Sequence, residues 1–182
     1  VGEWRGLPVA CGTGDNMGAA RGRGLAAGTA VVSLGTSGTA YTVAAAPTAD
    51  ARGEVAGFAD ASGRYLPLVC TLNATKVTDT MARLLGVGRE EFDALASAAP
   101  AGAGGVTLLP YLDGERTPNL PKATGWLSGI RSDASREQLA RAAVEGVCCS
   151  LLDALDALAA VAPVDRVVLV GGGARSAAYR EV

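Results

Sequence analysis

Three glycine-rich turns carry residue types that can handle a phosphate or a proton. They span residues 12–18, 35–38 and 171–176. Each follows an apolar run that predicts a strand, and glycine lets a ligand approach the backbone closely. Because glycine also serves ordinary turn geometry, each turn taken alone is a weak sign of a ligand site.

The first turn contains a carboxylate, that of Asp15. A dinucleotide-binding interpretation would place this anion where a pyrophosphate should lie, and the two would repel each other. No acidic residue near position 35 supplies the ribose partner of that motif either. Asp15 is therefore either a general base that accepts a proton from a substrate hydroxyl or a helix cap. The residues themselves leave both open.

The other two turns are rich in backbone N–H groups. The tip at 35–38 is either a phosphate cradle or an ordinary β-turn. The glycines at 171–173, followed by Ser176, either admit a phosphate or flat ligand or form a tight turn. No Gly-Lys-Ser/Thr sequence exists, since the lysines are Lys76 and Lys122, and this excludes P-loop chemistry.

Composition narrows the function further. The 182 residues carry 16 basic and 18 acidic side chains, so a nucleic-acid partner is not expected. No apolar run is long enough to predict a membrane span. The sequence has no histidine, so a proton would have to pass to a carboxylate.

Cysteine usage indicates a reduced, cytoplasmic setting. The four cysteines, Cys11, Cys70, Cys148 and Cys149, form no CxxC pair, and no histidine completes a zinc site. Cys148 and Cys149 lie in an apolar helical run, where cysteine acts as a small hydrophobe.

Periodicity predicts a mixed α/β fold around these turns. Ser135 and Gln138 form the capping-box pattern of a long helix, which Pro163 follows. Strands are predicted at 7–11, 29–33, 39–43, 55–59, 65–70, 106–109 and 167–170. Helices are predicted at 16–25, 73–85, 90–98 and 135–161, with a further helix opening at Ser176.

In this order, the motifs resemble those of the FGGY family of carbohydrate kinases. The matching segments are GDN at 14–16 with SLGTSG at 33–38, LPYLDGERTP at 109–118, GWLSGI at 125–130 with QLARAAVE at 138–145, and VGGGARS at 170–176. The resemblance runs over essentially the whole chain. Four ordered motifs are far more specific than any single glycine turn.

The resemblance implies an actin-like ATPase fold, with two RNase H-like domains and ATP between them. Residues 1–26 would be the tail of the first, sugar-binding domain. Residues 27–182 would be the second, nucleotide-binding domain, incomplete at its C-terminus. Arg21 and Arg23 depart from the pattern, since apolar residues are expected there, and this is either local divergence or sequence decay.

The resemblance also implies residue roles. Asp15 would be the catalytic base and contact the sugar with Asn16. ATP would be bound by residues from three segments: Gly35, Thr36, Ser37, Asn73, Gly172, Gly173 and Ser176. Mg²⁺ would accompany ATP, with no metal ligand assigned.

The implied reaction is the ATP-dependent phosphorylation of a pentulose, D-xylulose to D-xylulose 5-phosphate. Kinases acting on ribulose, gluconate or glycerol in the same family remain alternatives, as does a non-catalytic nucleotide-binding module. The 182 residues alone are expected to be inactive, because most of the first domain is missing from them. The full-length protein is a candidate homodimer.

Overall fold

The computed structural model of this protein describes Gly6, Pro8 and residues 12–182. The strand predicted at 7–11 therefore lies, except for Pro8, outside the described residues. Cys11 also lies outside them.

Strands and helices follow the predicted order. The strands are β1 (Gly28–Leu34), β2 (Gly38–Tyr41), β3 (Ala56–Ala59), β4 (Tyr65–Thr71), β5 (Thr107–Leu109), β6 (Trp126–Ser128) and β7 (Val164–Val170). The helices are α1 (Asp15–Gly22), α2 (Thr75–Leu85), α3 (Arg89–Ala98), α4 (Arg136–Ala159) and α5 (Ala177–Glu181). Each predicted element within the described residues is confirmed, with ends that differ by a few residues. Strand β6, which pairs with β5, was not predicted.

Five strands form the central sheet in the order β3-β4-β2-β1-β7. Pairing is antiparallel except between β1 and β7, which run parallel. Parallel neighbours end at the same edge of a sheet. The turn after β1, at 35–37, therefore lies beside the turn after β7, at 171–173.

The alternation of side chains along the strands builds a core on each face of the sheet. On one face, Val32 and Leu34 pack with residues of α2, α3 and α4. On the other, Val31 and Tyr41 pack with Ala20 of α1. The sheet thus separates α1 from the other helices.

Helix α4 begins at the predicted capping box. The Ser135 hydroxyl accepts a hydrogen bond from the Gln138 backbone N–H at 3.3 Å, and Gln138 Oε1 accepts one from the Ser135 N–H at 2.9 Å. Two N–H groups that the helix itself leaves unpaired are thereby satisfied. No helix within the described residues is long and apolar enough to cross a membrane.

The two unexpected arginines lie at the end of α1 and just beyond it. Both Arg21 and Arg23 are exposed, and Arg21 donates a hydrogen bond to the Ala61 carbonyl at 3.3 Å. Neither charge is buried among the described residues, so neither carries a desolvation cost there.

Candidate functional site

A cleft of about 630 Å³ opens where β1 and β7 end, against α2, α3 and α5. Its wall combines backbone glycines, hydroxyl groups, two aromatic rings and charged side chains. The lining residues are Leu34, Gly35, Thr36, Thr75, Thr78, Asp79, Ala82, Arg89, Glu90, Phe92, Asp93, Gly172, Gly173, Arg175, Ser176 and Tyr179.

The hairpin tip between β1 and β2 is tied to the start of α2. The Ala74 N–H donates to the Thr36 carbonyl at 3.2 Å, and the Thr75 N–H donates to the Gly35 carbonyl at 2.9 Å. The Thr75 hydroxyl donates to the same Gly35 carbonyl at 2.9 Å. The Thr36 side chain is exposed and makes no hydrogen bond with the described residues. The tip is therefore fixed through its backbone, while its hydroxyl is available to a ligand.

Gly171 and Gly173 lie against the end of β1. At Gly173, a Cβ atom would come within 2.8 Å of Thr75 Cγ2 and 2.9 Å of Leu34 Cβ. Gly171 has a φ of 89° and its Cβ would come within 2.6 Å of the Leu34 carbonyl oxygen. At Gly172, by contrast, a Cβ would meet no protein atom within 4 Å. Packing thus accounts for the glycines at 171 and 173, whereas the open space beside Gly172 is available to a ligand.

Polar contacts join the helices around the cleft. The Ser176 hydroxyl donates to Asp93 Oδ1 at 2.9 Å and accepts from the Tyr179 N–H at 3.3 Å. The Tyr179 hydroxyl lies 3.2 Å from Thr78 Oγ1. Burial raises the pKa of Tyr179 far above its usual value, so it remains neutral. Ser176 and Tyr179 hold the start of α5 against α2 and α3.

Charged groups mark the outer edge of the cleft. The Arg89 guanidinium donates two hydrogen bonds to Asp79, at 2.8 and 3.0 Å. This contact raises the pKa of Arg89 further. The pair links the start of α3 to α2.

Five of the residues expected to bind ATP line this cleft together: Gly35, Thr36, Gly172, Gly173 and Ser176. Ser37 does not line it, although it belongs to the same exposed tip. Asn73 does not line it either. Its side chain is fully buried, and its Nδ2 donates to the Gly114 carbonyl and to Glu115 Oε2, both at 2.8 Å.

Asp15 and Asn16 lie at the start of α1, which packs on the opposite face of the sheet. Gly14, and not Asp15, occupies the N-cap position, and Gly14 has no side chain to cap the helix. The exposed Asp15 carboxylate accepts a hydrogen bond from the adjacent Asn16 N–H at 2.8 Å. The negative charge of Asp15 also interacts favourably with the positive end of the α1 helix dipole. The pKa of Tyr41 is raised, mainly by burial. The positive charge of Arg23 opposes this rise, and the negative charge of Asp15 adds to it.

Several residues of the cleft were not predicted from the sequence to be site residues. Thr75, Thr78, Asp93 and Tyr179 lie on three helices, and no short motif connects them. Thr75 and Thr78 do stand three residues apart on α2, which puts them on one helix face. That spacing, next to a glycine tip, is the signal that could have indicated them.

Comparison with known proteins agrees with this architecture. The family model described as the FGGY family of carbohydrate kinases, C-terminal domain, matches residues 30–182. The chain belongs to this family. The matched region contains both turns that line the cleft, whereas α1 precedes it.

FGGY relatives with the name xylulose kinase align along nearly all of the chain. Those of Streptomyces rubiginosus and Streptomyces coelicolor are 51% and 52% identical over 179 residues, which are 97% of this chain and 36% of each relative. The crystal structure of xylulose kinase from Bifidobacterium adolescentis superimposes with a TM-score of 0.86 at 48% identity, covering 93% of this chain and 34% of that one. The chain thus spans about a third of the length of these relatives. Its fold is the actin-like ATPase fold of the FGGY kinases.

Proposed function

We propose that this chain is the nucleotide-binding part of an ATP-dependent pentulose kinase that converts D-xylulose to D-xylulose 5-phosphate. In this proposal, residues 1–26 end a first, sugar-binding domain and residues 27–182 belong to the second domain. The protein works in the cytoplasm. The names of the relatives favour xylulose over ribulose, gluconate or glycerol as the acceptor.

The observation that carries the proposal is the meeting of two separate glycine turns in one cleft. Gly35 and Thr36 come from one turn and Gly172 and Gly173 from the other, and Ser176 follows. The cleft volume of about 630 Å³ lies within the roughly 300–1,000 Å³ typical of small-molecule sites. The backbone amides of the glycine turns and the Thr36 hydroxyl suit phosphates, and the aromatic residues Phe92 and Tyr179 line the same cleft.

The chemistry needs positioning and charge stabilisation more than a covalent intermediate. A sugar hydroxyl oxygen bonds to the γ-phosphorus, and the bond from that phosphorus to the oxygen shared with the β-phosphate breaks. ADP leaves. Asp15 accepts the hydroxyl proton, and Asn16 contacts the sugar. Thr36 faces the phosphates.

Mg²⁺ accompanies ATP in this proposal, where it neutralises charge on the phosphates. Among the described residues, no group of three or more Cys, Asp or Glu side chains is arranged to hold a metal ion. Metal sites in phosphoryl transfer take most of their ligands from phosphates and water. We assign no protein ligand to the ion.

We further propose that the 182 residues bind ATP without phosphorylating a sugar. Isothermal titration of ATP into the chain, with Gly172→Ala as the control, measures binding. Sugar-dependent ADP release by the chain and by the full-length protein measures turnover with D-xylulose, D-ribulose, gluconate and glycerol. We expect binding by the chain and turnover only by the full-length protein, fastest with D-xylulose.

Other outcomes would separate the alternatives. Rapid sugar phosphorylation by the 182 residues would contradict their inactivity. Preference for gluconate or glycerol would show that the phosphoryl acceptor is not D-xylulose. If the full-length protein binds ATP but releases no ADP with any of these sugars, the non-catalytic alternative holds.

A further inference from the structure

The loop at 113–117 places a buried carboxylate next to an exposed guanidinium. Glu115 is only 1% exposed, whereas Arg116 is exposed. Arg116 forms no salt bridge with any residue in the described part of the chain. Burying an anion is costly unless hydrogen-bond partners compensate it, whereas water solvates the exposed guanidinium of Arg116.

Glu115 has such partners, and all are neutral. Its Oε1 accepts hydrogen bonds from the Leu72 N–H at 2.5 Å and from the Arg116 N–H at 2.7 Å. Its Oε2 accepts one from Asn73 Nδ2 at 2.8 Å. Hydrogen bonds to an ionised group are about twice as strong as neutral ones. The carboxylate thereby ties the loop to the junction between β4 and α2.

That junction lies next to the hairpin tip. Thr71, at the end of β4, pairs with Gly38, at the start of β2. Ala74 donates its N–H to the Thr36 carbonyl. Glu115 Oε1 accepts from both the Leu72 N–H and the Arg116 N–H, and Leu72 directly follows Thr71, so the backbone of Arg116 lies close to the β4 side of the tip.

The charge of Arg116 acts on the sheet face that α1 covers. Cys70 packs on that face with the cluster that contains Val31 and Tyr41. Burial raises the pKa of the Cys70 thiol, and the positive charge of Arg116 opposes that rise. Asp15 begins α1 and acts on Tyr41 of the same cluster. Asp15 thus begins the helix that packs on the sheet face away from the cleft, and neither Asp15 nor Arg116 is among the residues that line the cleft.

We propose that Arg116 is a phosphate-binding residue that contacts the phosphoryl group on the acceptor side of the tip, and that Glu115 is the positioning residue that holds it there. This inference rests on the proposed kinase function. An arginine suits the role because its planar fork donates two parallel hydrogen bonds to phosphate oxygens, which lysine cannot do. A phosphoryl group moving from ATP towards a sugar carries charge that a nearby guanidinium stabilises.

The test compares Arg116→Gln, Arg116→Lys and the control Arg131→Gln in the full-length protein. Arg131 is a surface arginine, 81% exposed, whose weak contact with Asp133 spans 3.8 Å. The measurements are kcat with D-xylulose, and the Kd values for ATP and ADP by titration. We expect Arg116→Gln to lower kcat about 100-fold and to weaken ATP binding while leaving ADP binding unchanged. Arg116→Lys should recover part of kcat, and Arg131→Gln should match the wild type.

A second variant tests the positioning role. Glu115→Gln should lower kcat as Arg116→Gln does and should leave the Kd for ADP unchanged, and Arg116→Gln added to it should cause little further loss. If Arg116→Gln keeps kcat within about twofold, or weakens ATP and ADP equally, the inference is overturned while the kinase function stands. If the wild type phosphorylates no sugar, the kinase function fails and the inference fails with it.

Discussion

The side-chain amide nitrogen of Asn73 lies 2.8 Å from Oε2 of Glu115, and neither residue exposes more than 1% of its surface. A carboxylate is thus held inside the protein by amide donors. This contact joins the chain just after β4 to a loop more than forty residues further on. The contact holds in place the segment after β4 that hydrogen-bonds to the hairpin tip. Its contribution to the free energy of unfolding can be measured.

Replacing Glu115 with glutamine should destabilise the fold. A glutamine NH₂ group would face either the backbone N–H groups of Leu72 and Arg116 or the amide of Asn73, so at least one donor meets another donor. We expect the free energy of unfolding to fall by about 2–3 kcal/mol. Urea unfolding measures it, with the exposed Glu181→Gln as the control. A change within about 0.5 kcal/mol, as for an ordinary surface position, would contradict the role of Glu115.

The two neighbouring glycines of the cleft should respond differently to alanine. At Gly173, the added Cβ would press on Leu34 and Thr75, and overpacking of this kind costs about 1–3 kcal/mol. At Gly172, with φ −63° and ψ −39°, alanine fits the backbone and should leave stability equal or slightly higher.

Nucleotide binding should separate these glycines a second way. We expect Gly172→Ala to fold normally and yet to weaken ATP binding, since its methyl group would occupy the open space beside the cleft. Thermal unfolding and ATP titration on the same samples measure both effects. Unchanged ATP affinity in Gly172→Ala would show that no ligand approaches this backbone.

Thr36 and Ser37 should contribute unequally. Thr36 lines the cleft and its hydroxyl has no partner among the described residues, whereas Ser37 does not line the cleft. In the full-length protein, Thr36→Ala should lower kcat about 10- to 100-fold with stability changed by less than about 0.5 kcal/mol. Ser37→Ala should have a smaller effect on kcat. Equal losses, or a larger loss for Ser37→Ala, would argue that the tip presents its other side to the phosphates.

Acid should destabilise the turn between β3 and β4, because it protonates the carboxyl group of Asp60. Burial opposes ionisation of this carboxyl, but hydrogen bonds from Ser62 and Arg64 outweigh it and lower its pKa to about 2. Its stabilisation is therefore complete above the unfolded pKa of about 4 and is lost as the pH falls from about 4 to 2. We expect Asp60→Asn to be less stable than the wild type by about 1–2 kcal/mol at pH 6, because it cannot accept these bonds as an anion.

The same comparison at lower pH provides the check. The difference in unfolding free energy between the wild type and Asp60→Asn should shrink between pH 4 and pH 2. Urea unfolding across this range measures it. A difference that stays constant down to pH 2 would show that the carboxyl titrates in both states alike.

The sequence predicted those parts of the molecule that depend on neighbours along the chain. The capping box at Ser135 and Gln138 is local, and so are the hairpin around Thr36 and the strand before Gly171. The resemblance to the FGGY kinases then assigned both glycine turns to ATP binding. The parallel pairing of β1 with β7 is the physical reason that the two turns lie side by side.

Contacts between distant segments could not be predicted in this way. Nothing near Asn73 indicates that its amide is bound to Glu115, and nothing near Ser176 indicates Asp93. The three-residue strand β6 was missed because its exposed Trp126 and its short length give no alternating pattern. These features depend on packing between elements that are distant in the sequence, and the patterns of a single sequence do not reveal such packing.

The most direct test of the account is Asp15→Asn in the full-length protein, with the exposed Asp156→Asn on α4 as its control. Sugar-dependent ADP release with D-xylulose is measured beside the Kd for ATP. If Asp15 takes the proton of the sugar hydroxyl, Asp15→Asn lowers kcat about 1,000-fold and leaves ATP affinity unchanged, while Asp156→Asn behaves as the wild type. Turnover by Asp15→Asn close to that of the wild type would contradict the account.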